Sequence, residues 1–405
     1  MFQNGLKTDR DDLFFDFNRD ELDERIRKFY GKKYDAEFVE RFAIHASSSY
    51  DIEARRDQTR FAPTKIHQCL YRPFDFRWLY YDPELTSRPA SKVMRHQLAG
   101  KNLALVCLRQ TRRSEEGTFF VSQNLINKDA VSLFDIGTVF PLFLYDETLT
   151  FDTGQKEIGF AHGQSKRPNL AQSFLKTVAV VLQLPQKGAH NLPAGLTPED
   201  IFHYAYAVFH SPGYRSRYAE FLKIDFPRLP LTGTLPLFRA LARLGGELTA
   251  LHLLESPLLS RSADFQSAVS PISNRQGVEN TTRAGTGRAA SGLQTRDTAG
   301  CNPALRVEFL GDKNPVVEKP TWSQNTVWLD KAQTTGFRGV REEVWNFHIG
   351  GYQVCEKWLK DRKGRTLTKD DLAHYQKIVI ALSETIRLMA EIDAVIGQHG
   401  GWPLK

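Results

Sequence analysis

The sequence predicts an α+β fold in which helical and strand-rich segments follow one another along the chain. Charged segments with apolar residues at helical spacing alternate with short aromatic-rich stretches that are bounded by turn residues. The chain has 405 residues, of which 41% are hydrophobic and 25% are charged, as in ordinary globular proteins. This composition excludes wholesale disorder, a collagen-like chain and a small disulfide-stabilised protein.

Residues 1–60 are predicted to be a helical coupling segment. An apolar stripe with the spacing of one helix face consists of Leu22, Ile26, Phe29 and Tyr30. Acidic residues gather before this stripe and basic residues after it, as the helix dipole favours. A second helix is predicted from Ala36 to Ile44.

Residues 61–150 are predicted to form a β-rich basic module. Four strand candidates lie between turn signals, at residues 76–81, 102–109, 118–122 and 139–145. Residues 61–130 hold eleven Lys and Arg against six Asp and Glu, so most of the chain's net charge of +7 lies in this stretch. Local basic charge on a mixed background is typical of contact with phosphates, and a solvated basic face without a partner is the alternative.

Residues 169–260 are predicted to be a helical subdomain. Thr197 begins one helix as an N-cap, because Pro198 suits the first helical position and acids fill the first turn. Another helix is predicted from Phe238 to Leu254, although Gly245 and Gly246 lie inside it.

Residues 261–305 differ in composition from both flanking parts and are predicted to be a disordered insertion. Phe265 is their one aromatic residue, and small and polar residues dominate. Such a stretch buries too little apolar surface to offset the entropy that ordering would remove.

Residues 306–405 are predicted to form a C-terminal α+β part with strands and one long helix. Strands are predicted at residues 325–329 and at residues 343–352, the latter entering a tight turn at Gly350 and Gly351. The long helix begins at Thr368, which forms a capping-box pattern with Asp371. Its apolar stripe comprises Tyr375, Ile378, Leu382, Ile386, Met389 and Ile392.

Motifs of common catalytic and metal sites are absent from the sequence. There is no phosphate-binding G-x-x-x-x-G-K-[ST] loop, no H-E-x-x-H and no C-x-x-C pair among the four cysteines. We therefore predict no catalytic and no metal-ligating residue in this chain. No uncharged apolar run approaches ~18 residues, and the N-terminus lacks a signal-peptide core, so we expect a cytoplasmic protein without membrane contact.

The strongest chemical signal is the interleaving of basic and aromatic residues between Tyr71 and Arg113. Arginine forks can grip phosphate or the edge of guanine, although Arg77, flanked by aromatics, also suits a structural role. A second basic run at residues 357–365 is either phosphate-contacting or a solvated surface. The candidate DNA contacts are Arg72, Arg77, Arg88, Lys92, Arg95, Lys101, Arg109, Arg112, Arg113, Lys357, Lys360, Arg362 and Lys363.

Three blocks of sequence resemble a known family. They are residues 66–81, which contain Y-R-P-F-D-F-R at Tyr71–Arg77, residues 201–215, which contain S-P-G-Y-R at Ser211–Arg215, and residues 349–362, which begin I-G-G-Y. Together they resemble the C-terminal specificity region of Type ISP restriction–modification enzymes and related adenine-specific DNA methyltransferases. The resemblance covers nearly the whole chain except residues 261–305.

The resemblance implies that the chain recognises a sequence in double-stranded DNA for an attached methyltransferase domain. The N-P-P-Y-type loop and the glycine-rich S-adenosylmethionine loop of such a domain are absent here, so that cofactor is expected only on a missing or partner methyltransferase domain or subunit. We expect a fragment, a split specificity subunit or a truncated gene. The alternatives are an active N6-adenine DNA methyltransferase or restriction component formed with a partner subunit, and a decayed remnant.

Overall fold

The computed structural model describes residues 1–45, 50–111, 118–146, 165–259, 306–311 and 314–404. Helices and several small sheets alternate along these ranges, which confirms the predicted α+β class. The predicted insertion at residues 261–305 lies outside the described ranges.

The described helices are those predicted, with additional short ones between them. They are α1 (Asp11–Phe14), α2 (Arg19–Tyr30), α3 (Ala36–Arg41), α4 (Ile52–Asp57), α5 (Ser91–Leu98), α6 (Gln172–Val181), α7 (Pro198–His210), α8 (Pro212–Arg217), α9 (Ala219–Ile224), α10 (Leu235–His252), α11 (Glu342–Trp345), α12 (Val354–Lys360) and α13 (Lys369–Gln398). None of the helices in these ranges is long and apolar enough to cross a membrane.

The strands are short. They are β1 (Gln3–Asn4), β2 (Phe15–Asp16), β3 (Ile66–Arg72), β4 (Asp75–Tyr80), β5 (Ala104–Leu108), β6 (Phe119–Ser122), β7 (Leu125–Ile126), β8 (Gly137–Pro141), β9 (Phe143–Tyr145), β10 (Lys166–Pro168), β11 (Glu308–Leu310), β12 (Thr321–Ser323), β13 (Thr326–Trp328), β14 (Gly336–Arg338), β15 (His348–Ile349) and β16 (Tyr352–Gln353).

Two four-stranded sheets build the β-rich part, with strand orders β2-β4-β3-β7 and β1-β8-β5-β6. Their pairings are antiparallel except for β3 with β7. The first sixty residues therefore supply an edge strand to each sheet besides their helices. Apolar residues of both sheets, such as Leu70, Val106 and Phe120, are fully buried.

Helices α7 and α10 pack closely against each other, and α13 lies against both. Capping boxes begin α7 at Thr197 and α13 at Thr368, where each threonine hydroxyl accepts a hydrogen bond from the backbone N–H three residues on. Both starting points were predicted from the sequence. The third four-stranded sheet, of order β11-β14-β13-β12, precedes α11.

The segment from Glu343 to Tyr352 differs from its prediction as one strand. Its first residues form the short helix α11, and only β15 and β16 pair, as a hairpin around Gly350 and Gly351. Gly350 has a φ of +57°, and a Cβ there would lie 2.0 Å from the carbonyl oxygen of Val131. The predicted structural turn is thus confirmed, and its glycine is required both by the backbone angle and by the close approach.

A buried hydrogen-bonded chain joins α7, α10 and α13. The Thr385 hydroxyl donates to the Ala381 carbonyl at 2.7 Å, so it accepts from Nε2–H of His252 at 3.0 Å. The Nδ1 atom of His252 then accepts from the Tyr206 hydroxyl at 2.6 Å. This arrangement requires a neutral imidazole. Burial, and then the charge of Arg215, lower the pKa of His252 to about 3.

Because buried histidines are neutral in the folded chain, we expect the protein to lose stability in mild acid. Burial also lowers the pKa of His96 to about 4 and that of His210 well below its usual value. Below about pH 6.5 the unfolded chain binds protons that the folded chain does not, so stability falls as pH decreases through this window. We expect the midpoint of urea unfolding to drop between pH 7 and pH 4.5.

A His252→Gln variant tests the origin of this effect. Glutamine keeps a donor and an acceptor but does not titrate, so the variant is expected to show a shallower dependence of its unfolding midpoint on pH, whatever its stability at pH 7. The same slope as in the unmodified protein would contradict a contribution from His252.

Candidate nucleic-acid interface

Two of the predicted DNA contacts surround a buried carboxylate. Asp75, on β4, is 1% exposed. Nη2 of Arg362 lies 2.7 Å from one of its oxygens, and Nη2 and Nε of Arg77 lie 2.9 and 3.0 Å from the other. Burial would raise the pKa of Asp75, but the charges and hydrogen bonds of Arg362 and Arg77 outweigh it and lower the pKa.

Aromatic rings hold the same two guanidinium groups. Arg362 lies 3.5 Å from the ring centre of Trp358, and Arg77 lies 3.7 Å from that of Tyr71. Both also face Phe17, at 4.6 and 4.4 Å. The first and third sequence blocks therefore meet at one arginine–aromatic cluster, which fastens the end of α12 to β4.

Arg72 is also an interior residue. It is 9% exposed, and its guanidinium lies 4.3 Å from the ring centre of Tyr71 and 5.2 Å from that of Tyr352. Its Nη1 donates to the carbonyl of Tyr71 at 2.8 Å. The internal partners of these guanidinium groups favour structural roles for Arg72, Arg77 and Arg362, and their contact with DNA stays a prediction.

Four predicted contacts form ion pairs at the surface. The pairs are Lys101 with Glu255 at 3.4 Å, Arg109 with Asp225 at 3.1 Å, Lys357 with Asp361 at 2.6 Å and Lys360 with Glu356 at 2.8 Å. Exposed pairs contribute about 0–1 kcal/mol, so Lys101, Arg109 and Lys360 can exchange a carboxylate for a phosphate with little loss of stability. The partner of Lys357, Asp361, is only 16% exposed. Lys357 is the least accessible, with 30% of its side chain exposed.

Arg88 and Lys92 are exposed and line one groove. The groove has a volume of about 380 Å³, and Lys128 adds a third cation. Its lining includes Gln3 and Asn4 but no acidic residue. In the part of the chain that the structure describes, neither Arg88 nor Lys92 forms an ion pair, although Lys128 pairs with Asp129 at 2.5 Å. We call this groove, lined by Arg88, Lys92 and Lys128, the cation groove.

The remaining predicted contacts are scattered. Lys363 is exposed just after the arginine–aromatic cluster. Arg95 is half-buried and donates from Nε to Nε2 of His96 at 3.3 Å. Arg112 and Arg113 lie outside the described residues.

One large cavity, of about 1050 Å³, brings two of the three sequence blocks together. Its walls include Pro212 and Arg215 of the second block and Ile349, Gly350 and Gly351 of the third. Ser132 and Phe134 of the β7–β8 connection also line it. Neither cavity wall was predicted from the sequence, since nothing in the spacing of these blocks shows that they meet.

Backbone and side-chain hydrogen bonds fix the cavity walls. The N–H of Gly351 donates to the Val131 carbonyl at 3.2 Å, and the Tyr352 hydroxyl donates to the Asp129 carbonyl at 2.7 Å. On the second wall, Nε of Arg215 donates to the Phe209 carbonyl at 2.8 Å. The β15–β16 hairpin is therefore locked against the β7–β8 connection.

Within the described ranges, no group of three His, Cys, Asp or Glu side chains is placed to hold a metal ion. The polar side chains of the large cavity are hydrogen-bonding groups, which suit recognition of a polar ligand.

The family model of the Type ISP C-terminal specificity domain matches residues 1–391. No curated protein matches the chain. Among solved structures, it is similar to the ATP-dependent Type ISP restriction–modification enzyme LlaBIII bound to DNA, with a TM-score of 0.64 and 16% identity. That match covers 96% of this chain and 23% of the other.

Two further structures have the same fold. A nuclease-deletion mutant of the Type ISP enzyme LlaGI with a DNA substrate mimic gives a TM-score of 0.59 at 16% identity, covering 97% of this chain and 33% of that one. A DrdV–DNA complex gives 0.61 at 19% identity, covering 96% and 35%. The chain thus spans about a quarter to a third of these proteins. With its family model matched over residues 1–391, the chain belongs to the Type ISP C-terminal specificity domain family.

Proposed function

We propose that the chain recognises a specific sequence in double-stranded DNA as the specificity region of a restriction–modification system. The match of the family model over nearly the whole chain carries this proposal. The three similar structures are described as complexes with DNA or a DNA substrate mimic, and this supports the same partner.

The charge distribution supports DNA as the partner. The cation groove presents exposed guanidinium and ammonium groups without an acidic residue in its lining. Phosphate contacts supply affinity and position, whereas base contacts supply specificity. We propose Arg88, Lys92, Lys101, Arg109, Lys360 and Lys363 as the accessible contacts, while Arg95, Lys357, Arg112 and Arg113 stay predictions.

Catalysis belongs to a different part of the system in this proposal. A methyltransferase domain or subunit would bind S-adenosylmethionine and act in the cytoplasm on the site that this chain selects. Within the chain we propose residues 1–60 as the coupling segment, residues 61–150 as the basic recognition module, and residues 169–260 and 306–405 as its helical and α+β supports.

Removal of two cations from the groove tests the proposal. In a full-length Arg88→Ala/Lys92→Ala variant, affinity for a duplex selected from a randomised pool is expected to fall roughly tenfold at moderate salt. The slope of log affinity against log salt concentration should decrease by about 2, because each lost phosphate contact removes about 0.9. Fluorescence anisotropy at several salt concentrations measures both quantities.

A Lys176→Ala/Lys187→Ala variant is the matched control, because both lysines are exposed on α6 and the loop after it and line neither cavity. We expect it to bind as the unmodified chain does. Equal effects of the two double variants would argue against the groove as a DNA contact. A folded chain that binds no duplex at low salt would contradict the proposed function and favour a decayed remnant.

A further inference from the structure

An exposed apolar ridge separates the cation groove from the large cavity. The ridge is the β7–β8 connection at residues 132–136. Leu133 and Phe134 are each 52% exposed and Ile136 is 43% exposed. Ser132, Phe134 and Asp135 line the large cavity, whereas Ile136 lines the cation groove. Three large apolar side chains in five residues of a surface loop suit contact with an apolar partner surface.

Hydrogen bonds within the β7–β8 connection hold the ridge rigidly. The hydroxyl of Ser132, a residue that is 3% exposed, accepts hydrogen bonds from the N–H groups of Phe134 at 3.2 Å and Asp135 at 3.1 Å. The Gly137 N–H donates to the Lys128 carbonyl at 2.8 Å and closes the loop. The ridge is therefore pre-organised, and little conformational entropy would be lost when it meets a partner.

The surrounding charge identifies the partner. Arg88, Lys92 and Lys128 lie along one flank of the ridge, and no acid lines that groove. The single acid of the ridge, Asp135, lines the cavity on the other side. The apolar ridge with cations beside it is complementary to duplex DNA, in which stacked bases lie between two anionic backbones. Proteins that bend DNA insert Phe, Leu or Ile side chains between base pairs in this way.

We propose that residues 133–136 form a wedge that enters the bound duplex and unstacks one base step while the cation groove holds the adjacent backbone. This inference rests on the proposed DNA binding. Unstacking is easiest at flexible pyrimidine–purine steps, so the wedge would also contribute to sequence preference without hydrogen bonds to bases.

The test uses duplexes of the selected sequence in which 2-aminopurine replaces one adenine at a time. Unstacking of this base raises its fluorescence. The full chain is expected to raise the signal severalfold at one step, and the Phe134→Ala and Leu133→Ala variants are expected to lose most of this rise. Phe221→Ala is the matched control, because Phe221 is 65% exposed on α9 and lines neither cavity. It should behave as the unmodified chain does.

Anisotropy with the same duplexes separates the two proposals. Binding without a fluorescence rise at any position would overturn the wedge and leave DNA recognition standing, whereas no binding would overturn both. An unchanged rise in both ridge variants would also overturn the wedge and favour a protein partner for the ridge. Because the substituted side chains are exposed, thermal melting should show that the variants are folded. Ile136→Ala is a third ridge variant for the same test.

Discussion

Replacement of Asp75 by asparagine is expected to lower the free energy of unfolding by about 3–5 kcal/mol. The substitution leaves the Arg362 and Arg77 guanidinium groups, whose side chains are 6% and 14% exposed, without their shared counter-charge. Asp361, 3.3 Å from Arg77, and Asp371, 3.8 Å from Arg362, compensate only part of this buried charge. The isosteric amide leaves the packing intact. Urea denaturation followed by tryptophan fluorescence measures the change.

The matched control is Asp225→Asn. Asp225 also pairs with an arginine, Arg109, at 3.1 Å, but the two side chains are 59% and 65% exposed. Solvent screens such a pair, so we expect a much smaller loss than for Asp75→Asn. Similar losses for the two variants would show that the cluster around Asp75 does not behave as a buried network.

The pH dependence of the Asp75→Asn variant gives an independent readout. The lowered pKa of Asp75 means that its stabilising effect is present above the unfolded value near 3.9 and is lost as pH falls below it. The variant lacks this group, so its stability should decline less steeply below about pH 4. The histidine effect described above acts at higher pH and should persist.

The same cluster shows what a sequence pattern can and cannot predict. Alternation of arginine with aromatic residues from Tyr71 to Tyr81 predicted chemistry at a surface, and it also fits an interior cluster, because guanidinium groups stack on rings in both settings. An interior cluster differs from a surface one in having a neighbouring carboxylate and a further partner from a distant part of the chain. Arg362 lies 287 residues beyond Asp75, and no local pattern reports such a pairing.

Sequence patterns predicted the structure correctly where the interactions that fix it lie within a few residues. The capping residues Thr197 and Thr368 placed two helix starts, since each satisfies backbone N–H groups within its own turn. The edge strands β1 and β2 were not predicted, because two residues carry no periodicity and their partners β8 and β4 are distant in sequence. For the same reason the cavity and the ridge could be found only in three dimensions.

A close helix crossing provides the second strong prediction. Helices α7 and α10 approach each other at Gly245, where a Cβ would lie 1.9 Å from the carbonyl oxygen of His203 and 2.7 Å from its carbonyl carbon. Backbone atoms of a packed helix cannot yield as a flexible side chain does. From the sequence alone, Gly245 could be identified only as a residue of low helix propensity inside a helical pattern.

We expect Gly245→Ala to lower the free energy of unfolding by about 2–3 kcal/mol, because overpacking outweighs the roughly 1 kcal/mol by which alanine favours a helix over glycine. Gly246→Ala is the adjacent control. Its Cβ would meet only the His203 ring, at 3.3 Å, so the helix preference should offset the contact and leave stability within about 1 kcal/mol. Equal losses at the two positions would mean that the close backbone approach at Gly245 is not what selects glycine here.

The consequence of Gly245→Ala reaches the candidate interface through α10. This helix ends at His252, which stacks on Phe120 of β6 at 5.2 Å between ring centres and lines the large cavity. Pushing α10 away from α7 therefore moves one cavity wall, while the cation groove is built from residues of neither helix. If base readout depends on the cavity, the Gly245→Ala variant should discriminate less between selected and random duplexes, yet it should keep its salt-dependent, non-specific binding. This is the opposite of the result expected for Arg88→Ala/Lys92→Ala.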